Sequence, residues 1–476
     1  MKRTRLTNRL VRLGLLMTAL AMSWPAWAKP NIVLVLADDQ GWRDSGAYGN
    51  PDVLTPNIDA LAEQGMKFTH AFTATAMCAP TRQQLYTGLY PVRSGAYPQN
   101  SHVKPGTRSL AHYFGDLGYR VGISGKRHYA PEEAFPFESL NSPDVEYDKE
   151  APEMDLVREF IKREPGQPFV LLVTSRQPHT PWNKGDVKYA PKDLTVPADM
   201  SDTSETREAL AAYYREVSDF DAELGRVMDI VDEAGEAENT IFIYSSEQGA
   251  MLPSGKWTLY DNGVRTAFVV RWPGVVEEGS ETAALVAYVD VVPTLIEAVG
   301  GVAPAVDGSS FLPVLRGEGT THRKYVFGVH TSIGICNGAA YPIRSVRDDR
   351  YKLILNGNAG QEFQNNITVR DPAGFYDSWR LAGEAGDVFA AERHAAYRIR
   401  PPEEFYDLLN DPLELDNLAG HEEYEEVMTR LRQELAAWLE EQGDADPLAT
   451  ERAASERILP AGLLKLQTSK CRGPSE

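Results

Sequence analysis

NIVLVLADDQG, residues 31–41, places an uninterrupted apolar run directly before two aspartates. A short continuous apolar run is typical of a strand buried on both faces of a parallel sheet. Four later stretches have the same character: YRVGIS (119–124), PFVLLVTS (168–175), TIFIYSS (240–246) and TAFVVRW (266–272). Helical patterns separate these runs, the longest over residues 205–234. The sequence therefore predicts an α/β sandwich in which a large, mostly parallel central sheet lies between helices.

The texture of the sequence changes near residue 320. YPIRSVRDDRYKLIL (341–355) predicts two strands joined by a turn, and residues 422–442 have the apolar spacing of an amphipathic helix. The chain of 476 residues also exceeds the usual size of one domain. We therefore expect a main domain over residues 29–319 and a smaller C-terminal α+β subdomain with an antiparallel sheet over residues 320–476.

The first 28 residues have the layout of a secretory signal peptide. MKRTRLTNRL is basic, VRLGLLMTALAM is apolar, and the small residues Ala26 and Ala28 suit a cleavage site. The apolar run is short for a membrane span, although a retained anchor is the alternative interpretation. We expect an exported protein, periplasmic or secreted, with no membrane anchor after cleavage of residues 1–28.

The charge of the chain argues against one class of partner. Its formal net charge is −20, and removal of the five cations in residues 1–28 takes it to −25. Such a chain repels a phosphate backbone and is not expected to bind nucleic acid. An anionic substrate would need a local cationic pocket; otherwise the acidity serves solubility alone. Nothing in the sequence indicates the oligomeric state.

The chain has three cysteines: Cys78, Cys336 and Cys471. An odd count in an exported protein indicates a free and reactive thiol. In CAPTRQQLYTG (78–88), Pro80 suits the first turn of a helix and Gly88 suits its end. Cys78 then lies at the positive end of the helix dipole, where a nucleophile and an anion are both favoured. Arg82, one turn later, can bind the oxygens of an oxyanion.

Carboxylate and amide side chains follow two of the predicted strands. Asp38 and Asp39 end the first strand, and Glu247 and Gln248 end the TIFIYSS strand. Ligands bind beyond the carboxyl ends of strands in open parallel sheets. Hard oxygen donors favour Ca²⁺ or Mg²⁺. Alone, the Asp38-Asp39 pair is more often a turn or a helix cap, and Glu247-Gln248 could be a polar loop closed by Gly249. Together the two pairs predict a shared metal site.

Four cationic or titratable side chains also follow strand ends. Lys126 and His128 come after YRVGIS, His179 follows PFVLLVTS between two prolines, and Lys256 comes shortly after Gln248. A single His or Lys in a loop is usually solvated, but four at one edge of a sheet indicate a pocket for a small tetrahedral oxyanion. The segment VGISGK matches neither a nucleophile elbow nor a phosphate-binding P-loop.

CAPTRQQLYTG resembles the signature of type I sulfatases, Cys-x-Pro-x-Arg followed by Leu-x-Thr-Gly. Further resemblance lies in NIVLVLADDQG, TPNIDALAEQGMKFTHAF, GKRH, PHTPW and EEFYDLLNDPLELDNLAG, and it covers most of residues 29–476. It implies an alkaline-phosphatase-like fold and a sulfuric ester or sulfamide hydrolase, with the catalytic domain in residues 29–319. It also implies that a formylglycine-generating enzyme oxidises Cys78 to formylglycine (3-oxoalanine) during maturation.

The resemblance assigns roles to the candidate residues. One Ca²⁺ is held by five of them: Asp38, Asp39, Cys78, Glu247 and Gln248. Arg82 and Lys126 support the hydrated aldehyde, and His128 helps to break down the sulfated intermediate. His179 and Lys256 hold the sulfate and assist departure of the alcohol or amine. The chain departs from the family at Glu247-Gln248, where Asp-Asn or Asp-His is common, so the contribution of this pair to metal binding is left open.

The segments GKRHYAPEEAFPFES, PSGKWTLY and YPIRSVRDDRYKLI resemble N-sulfoglucosamine sulfohydrolases, which degrade glycosaminoglycans. We therefore expect a sulfated-glycan substrate, with N-sulfoglucosamine favoured. The alternatives are an O-sulfatase of another, for example algal, polysaccharide, a phosphonate monoester or phosphodiester hydrolase, and a catalytically silent glycan-binding relative. His102, His330 and Arg344 are candidate sugar contacts, although structural or solvated roles are the commoner explanation.

Overall fold

A computed structural model describes residues 29–142, 151–335 and 340–458 of the chain. The predicted signal peptide and two of the three cysteines, Cys336 and Cys471, lie outside these residues. No helix within the described ranges is both long enough and apolar enough to cross a lipid bilayer.

Nine strands form the larger sheet: β1 (Asn31–Ala37), β2 (Met66–Phe72), β3 (Arg120–Gly125), β4 (Glu138–Ser139), β5 (Phe169–Thr174), β6 (Thr240–Ser246), β7 (Arg265–Arg271), β8 (Ser280–Thr282) and β9 (Val286–Ala287). Their order is β4-β3-β5-β1-β6-β7-β2-β8, and β9 also pairs with β2. All pairings are parallel except those of β7 with β6 and β2. The predicted large, mostly parallel sheet is confirmed.

Two details of the sheet differ from the sequence expectation. TAFVVRW forms β7, but this strand runs antiparallel to both neighbours. Its five central residues are buried, and burial on both faces produces a continuous apolar run whatever the strand direction. β2 was not predicted, because Lys67, Thr69 and His70 interrupt its apolar residues.

The described residues also form fourteen α-helices, besides six three-residue 3-10 helices: α1 (Pro56–Glu63), α2 (Cys78–Thr87), α3 (Pro91–Ser94), α4 (Leu110–Asp116), α5 (Met154–Lys162), α6 (Ser204–Glu233), α7 (Asp261–Val264), α8 (Val291–Ala298), α9 (Leu312–Leu315), α10 (Asn366–Arg370), α11 (Tyr376–Glu384), α12 (Val388–Arg398), α13 (Glu425–Gln442) and α14 (Pro447–Ile458). The longest, α6, coincides with the predicted helix over 205–234. It begins where the Thr203 side chain accepts a hydrogen bond from the Thr206 backbone N–H.

The strand β1 shows how the sheet is covered on both faces. All seven of its residues are buried, and successive side chains point to opposite faces. Ile32, Leu34 and Leu36 belong to a hydrophobic cluster with side chains of α2, α4 and α8. Val33, Val35 and Ala37 belong to a second cluster with side chains of α1, α5 and α6. The continuous apolar run of β1 is therefore the signature of a central strand between two helical layers.

The second sheet is small and antiparallel. Its order is β10 (Val326–His330), β11 (Ile343–Arg347), β12 (Tyr351–Asn356) and β13 (Glu403–Asp407). The strands predicted in YPIRSVRDDRYKLIL are β11 and β12, and the predicted amphipathic helix is α13. A third hydrophobic cluster joins Tyr213 and Trp257 to Ile343 and Phe405, so the small sheet shares its core with the carboxyl-end side of the large one.

Candidate active site

The carboxylates of the candidate site converge because β1 and β6 are parallel neighbours. Ala37 is paired with Ser246, so the residues that follow the two strands leave the sheet side by side. The backbone N–H of Glu247 donates to the carbonyl of Ala37 at 3.0 Å. Ligand atoms of Asp38, Asp39, Cys78 and Glu247 all lie within 4.8 Å of one another. Residues more than 200 positions apart in the chain thus form one cluster beyond the carboxyl ends of the parallel strands, as their positions after strand ends predict.

Helix α2 delivers Cys78 to this cluster. The helix begins at Cys78, includes Pro80 in its first turn and ends at Thr87, where Gly88 has φ 71°. All ten of its residues are buried. The Sγ atom of Cys78 lies 3.6 Å from Nε2 of Gln248. The expected position of Cys78 at the start of a helix is therefore what the structure shows.

The environment of the thiol favours its ionised form. Burial and the Glu247 carboxylate raise the pKa of Cys78. Lys126, Lys256 and the His128 imidazole lower it by more, so that the pKa lies well below its ordinary value. A low pKa is the property that makes a cysteine chemically reactive.

Each buried carboxylate of the cluster has its own cation. Lys126 Nζ donates to Asp38 Oδ2 at 2.5 Å, and Lys256 Nζ donates to Asp39 Oδ2 at 2.6 Å. Arg82 Nε donates to Glu247 Oε2 at 2.5 Å. These side chains are between 0% and 9% exposed, so the charges are compensated within the protein and not by solvent.

Arg82 lies deeper than the sequence suggests. Its guanidinium binds Glu247 and the carbonyl of Lys126, at 2.9 Å from Nη1. Its Nη2 is buried and has no hydrogen-bond partner among the described residues. The guanidinium therefore supports the Glu247 carboxylate from within the core.

The cluster fits a divalent cation on its own chemistry. Asp38 Oδ1 and Gln248 Oε1 are buried oxygens without a hydrogen-bond partner among the described residues. Burial raises the pKa of Asp39 despite the nearby Lys256. The surrounding cations therefore do not fully compensate the negative charge of this carboxylate. Carboxylate and amide oxygens are the donors that Ca²⁺ and Mg²⁺ prefer. Asp38, Asp39, Glu247 and Gln248 could hold such an ion next to Cys78.

The two predicted histidines, His128 and His179, line the same cavity, but their imidazole pKa values are shifted in opposite directions. His128 Nε2 is 2.9 Å from Asn100 Oδ1, and burial lowers the pKa of its imidazole. His179 Nδ1 is 2.6 Å from the carbonyl of Thr180, and its Nε2 is 3.6 Å from Asp39 Oδ2. Burial and Lys256 lower the pKa of His179, but Asp39 and Asp38 raise it to a net value above the ordinary one.

A cavity of about 730 Å³ lies against these groups. Five predicted site residues line it: Cys78, Lys126, His128, His179 and Lys256. The other five, Asp38, Asp39, Arg82, Glu247 and Gln248, are at most 1% exposed and lie beneath that wall. The cavity is large enough for a sugar unit, and its floor carries the cluster of charged groups.

Several lining residues have no signal in the sequence: Gln99, Asn100, Tyr129, Arg176, Trp257 and Arg370. They come from loops and from α10, where a polar or aromatic residue is ordinary, and only the folded chain brings them together. Of the candidate sugar contacts, exposed His102 lines the cavity. Arg344 is buried and binds Asp444, with 2.5 Å between Nε and Oδ2, and His330 is fully buried beside Phe363. Neither Arg344 nor His330 is among the cavity-lining residues.

Comparison with known proteins agrees with this geometry. Residues 30–302 match the family model described as sulfatase, and residues 254–378 match the model described as N-sulphoglucosamine sulphohydrolase, C-terminal. The chain is 36% identical over 432 residues to an ulvan-active sulfatase of Formosa agariphila, covering 87% of this chain and 81% of that protein. It is 29% identical over 481 residues to human N-sulphoglucosamine sulphohydrolase, covering 91% and 94%.

The fold also matches solved structures. One is a protein in complex with its substrate, D-glucosamine-2-N,6-O-disulfate, with a TM-score of 0.67 and 19% identity. The match covers 88% of this chain and 99% of that one. At this identity the likeness concerns the fold, and the expected alkaline-phosphatase-like architecture is confirmed.

Proposed function

The chain belongs to the sulfatase family and is a sulfuric ester hydrolase; on that premise, we propose that it removes sulfate from a sulfated glycan, with residue 78 in its formylglycine form as the nucleophile. The observation that carries the proposal is the convergence of Cys78, four metal-ligand candidates and three buried cations beneath one cavity. The boundaries 29–319 for the catalytic domain and 320–476 for the subdomain remain part of the proposal.

In this proposal, Asp38, Asp39, Glu247 and Gln248 hold one Ca²⁺ beside residue 78. Formylglycine would supply a hydrated aldehyde with two hydroxyls, and Ca²⁺ would supply positive charge next to them. The chain's own residues orient and neutralise the sulfate: Lys126 and Lys256 line the floor of the cavity with ammonium groups. Preorganised cations that face developing negative charge lower the barrier to transfer of the sulfuryl group.

His128 and His179 are proposed to move protons at opposite sides of the sulfate. His128 is oriented by Asn100 through Nε2, and its Nδ1 has no hydrogen-bond partner among the described residues. That nitrogen is available to accept a proton from a hydroxyl at residue 78. His179 is oriented by the Thr180 carbonyl through Nδ1, which leaves Nε2 to assist departure of the alcohol or amine.

Two substrates have specific support. N-sulfoglucosamine is favoured by the match of residues 254–378 to the N-sulphoglucosamine sulphohydrolase C-terminal model and by the human relative. An O-linked sulfate of an algal polysaccharide is favoured by the ulvan-active relative. Sulfate release from glucosamine N-sulfate and from sulfated ulvan fragments, measured side by side, separates them. A protein that releases sulfate from no sulfated sugar would contradict the glycan proposal.

The decisive experiment is mass spectrometry of the peptide that contains Cys78, from protein made together with a formylglycine-generating enzyme. We expect the aldehyde at position 78 and turnover of 4-nitrophenyl sulfate. Cys78→Ala should lower turnover by about 1,000-fold or more while leaving the circular dichroism spectrum unchanged. Cys471→Ala, which changes a cysteine that is not among the proposed site residues, is the matched control and should retain activity.

Other outcomes of the same experiment would overturn the proposal. An unmodified thiol in an active protein would contradict the formylglycine mechanism. Faster turnover of an aryl phosphonate than of the aryl sulfate would favour the phosphonate hydrolase alternative. A modified but inactive protein that binds glycans would favour the silent relative. We also propose that the protein is exported to the periplasm or out of the cell, because residues 1–28 have the pattern of a signal peptide.

A further inference from the structure

Two arginines that line the cavity have no carboxylate partner among the described residues. Arg176 lies two residues beyond β5, and Arg370 is the last residue of α10. Surface arginines elsewhere in this acidic chain are commonly paired, as Arg163 is with Glu138, Arg207 with Asp202 and Arg380 with Asp377. Arg176 and Arg370 therefore place unbalanced positive charge in the cavity of a protein whose net charge is −20.

This charge is not needed to balance the floor of the cavity. There, Asp38, Asp39 and Glu247 are matched by Lys126, Lys256 and Arg82. Glu132 is the only carboxylate residue among the described residues that line the cavity, and it is exposed. Two guanidiniums against one solvated carboxylate leave the upper wall of the cavity positive.

The two arginines come from separate parts of the chain but line one cavity. Arg176 is carried by the loop that also carries His179, whereas Arg370 comes from the segment between β12 and β13. The planar fork of an arginine matches the paired oxygens of a carboxylate or a sulfate. Positive charge at the wall would also offset the repulsion between an acidic glycan and the rest of this chain.

We propose that Arg176 and Arg370 form a subsite for a second anionic group of the substrate, in addition to the sulfate that is cleaved. This inference rests on the proposed function and narrows its substrate to glycans that carry a further carboxylate or sulfate. The neighbouring group binds at the arginines and positions the scissile sulfate over residue 78. A sugar with one sulfate and no other charge leaves this subsite unused.

The test uses competition against 4-nitrophenyl sulfate hydrolysis by the mature enzyme. One pair of competitors is a uronate-containing disaccharide of N-sulfoglucosamine and its carboxyl-reduced counterpart, which keeps the N-sulfate as its only charge. A second pair is a disulfated and a monosulfated glucosamine. The first pair reports on a carboxylate in the subsite and the second on a sulfate. The variants are Arg176→Ala, Arg370→Ala and the double variant, with Arg226→Ala, an exposed residue of α6 outside the cavity, as the matched control.

We expect the wild type and Arg226→Ala to bind the more anionic member of at least one pair about 10-fold more tightly or better, as a charge-assisted hydrogen bond provides. In the double variant this ratio should fall close to 1, whereas Arg226→Ala should keep both the ratio and the KM and kcat for 4-nitrophenyl sulfate. Arg176→Lys and Arg370→Lys should keep part of the preference, because they keep the charge and lose the fork.

A preference that is equal in the wild type and the double variant, or absent from the wild type, would overturn the inference while leaving the sulfatase proposal intact. Failure of the wild type to hydrolyse the aryl sulfate would count against the proposed function instead. In that case calorimetric binding of the same competitors to the same variants still decides the role of the arginines.

Discussion

At the scale of single residues, Glu247 connects the metal-ligand candidates to the buried arginine. Its carboxylate accepts from Arg82 Nε through Oε2 and from Gln248 Nε2, at 2.8 Å, through Oε1. An aspartate is common at this position in the family, and a glutamate is longer by one methylene. The longer side chain places its carboxylate within hydrogen-bond distance of Arg82. One side chain thus belongs both to the candidate cation site and to the charge balance behind it.

Neutralising Glu247 should destabilise the protein. Glu247→Gln leaves the fully buried Arg82 guanidinium without a counter-charge, and breaking such a pair costs about 3–5 kcal/mol. The measurement is chemical unfolding in the presence of a metal chelator, which removes the contribution of any bound cation. Arg82→Gln should cost a similar amount.

The double variant Arg82→Gln/Glu247→Gln is the control for this pair. Because it leaves neither charge buried alone, it should be more stable than either single variant. Additive losses in the double variant would show that the two side chains act independently.

The sequence predicted the members of the site better than their contacts. Asp38, Asp39, Glu247 and Gln248 could be found because each follows a recognisable strand. The Arg82–Glu247 pair could not, since it joins positions 165 residues apart and depends on the depth of α2 in the fold. Arg176 and Arg370 had no pattern around them and emerge only when two distant segments face one cavity.

At the scale of the element, Gly88 ends α2 in a left-handed conformation with φ 71°. A Cβ at this position would lie 3.0 Å from Val306 Cγ2 and 3.2 Å from the carbonyl of Val289. The glycine therefore meets two requirements, the backbone angle and the close approach of neighbouring segments.

Gly88→Ala should lower the free energy of unfolding by more than the cost of the angle alone, which is about 1–2 kcal/mol. The matched control is Gly106→Ala, where φ is 81° but a Cβ would meet nothing within 4 Å. Both values are obtained from urea unfolding. Equal losses in the two variants would indicate that the contacts at Gly88 relax without cost.

Periodicity identified β1, β3, β5 and β6 but not β2, and it could not give the direction of β7. A run that is buried on both faces looks the same in parallel and antiparallel pairing, as β7 demonstrates. The alternation in β2 is broken at Thr69 and His70, two adjacent half-buried residues, where the pairing with β7 shifts register between Phe68 and Ala71. Strand direction and register irregularities depend on the neighbouring strands and leave little trace in the sequence of a single strand.

At the scale of the whole molecule, Asp261 joins the two sheet-bearing parts. It lies in α7, between the larger sheet's β6 and β7, and accepts from two side chains of the small sheet. Arg347 Nη1 is 2.6 Å from Oδ2, and Lys352 Nζ is 2.9 Å from Oδ1. Burial alone would raise the pKa of Asp261, but Arg347 and Lys352 hold it well below the usual range.

Asp261→Asn should lower the free energy of unfolding at pH 7 by about 3–5 kcal/mol, since it leaves buried cations short of a counter-charge. Because the pKa is lower in the folded state, the stabilisation is present above the unfolded pKa of about 4 and is lost as the pH falls further. The difference between wild type and variant should therefore shrink below pH 4, as followed by thermal unfolding.

The exposed pair of Asp202 with Arg207 provides the control for the buried one. Asp202→Asn should leave the melting temperature nearly unchanged, because solvent screens a surface ion pair. An equally small effect of Asp261→Asn would mean that its ion pairs with Arg347 and Lys352 contribute little to holding the two sheet-bearing parts together. The domain boundary near residue 320 stays a prediction, and the shared hydrophobic cluster indicates that cutting the chain there would expose core side chains.

Burial of α2 also orders events in the life of the chain. Cys78 is 2% exposed, and every residue of its helix is buried. A small anion can reach the thiol through the cavity, but another protein cannot bind the backbone around it. An enzyme that recognises the segment CAPTR must therefore act while the chain is still unfolded. The fraction of active molecules would then depend on the rate of modification relative to the rate of folding. A molecule that folds first would keep an unmodified thiol for as long as it stays folded.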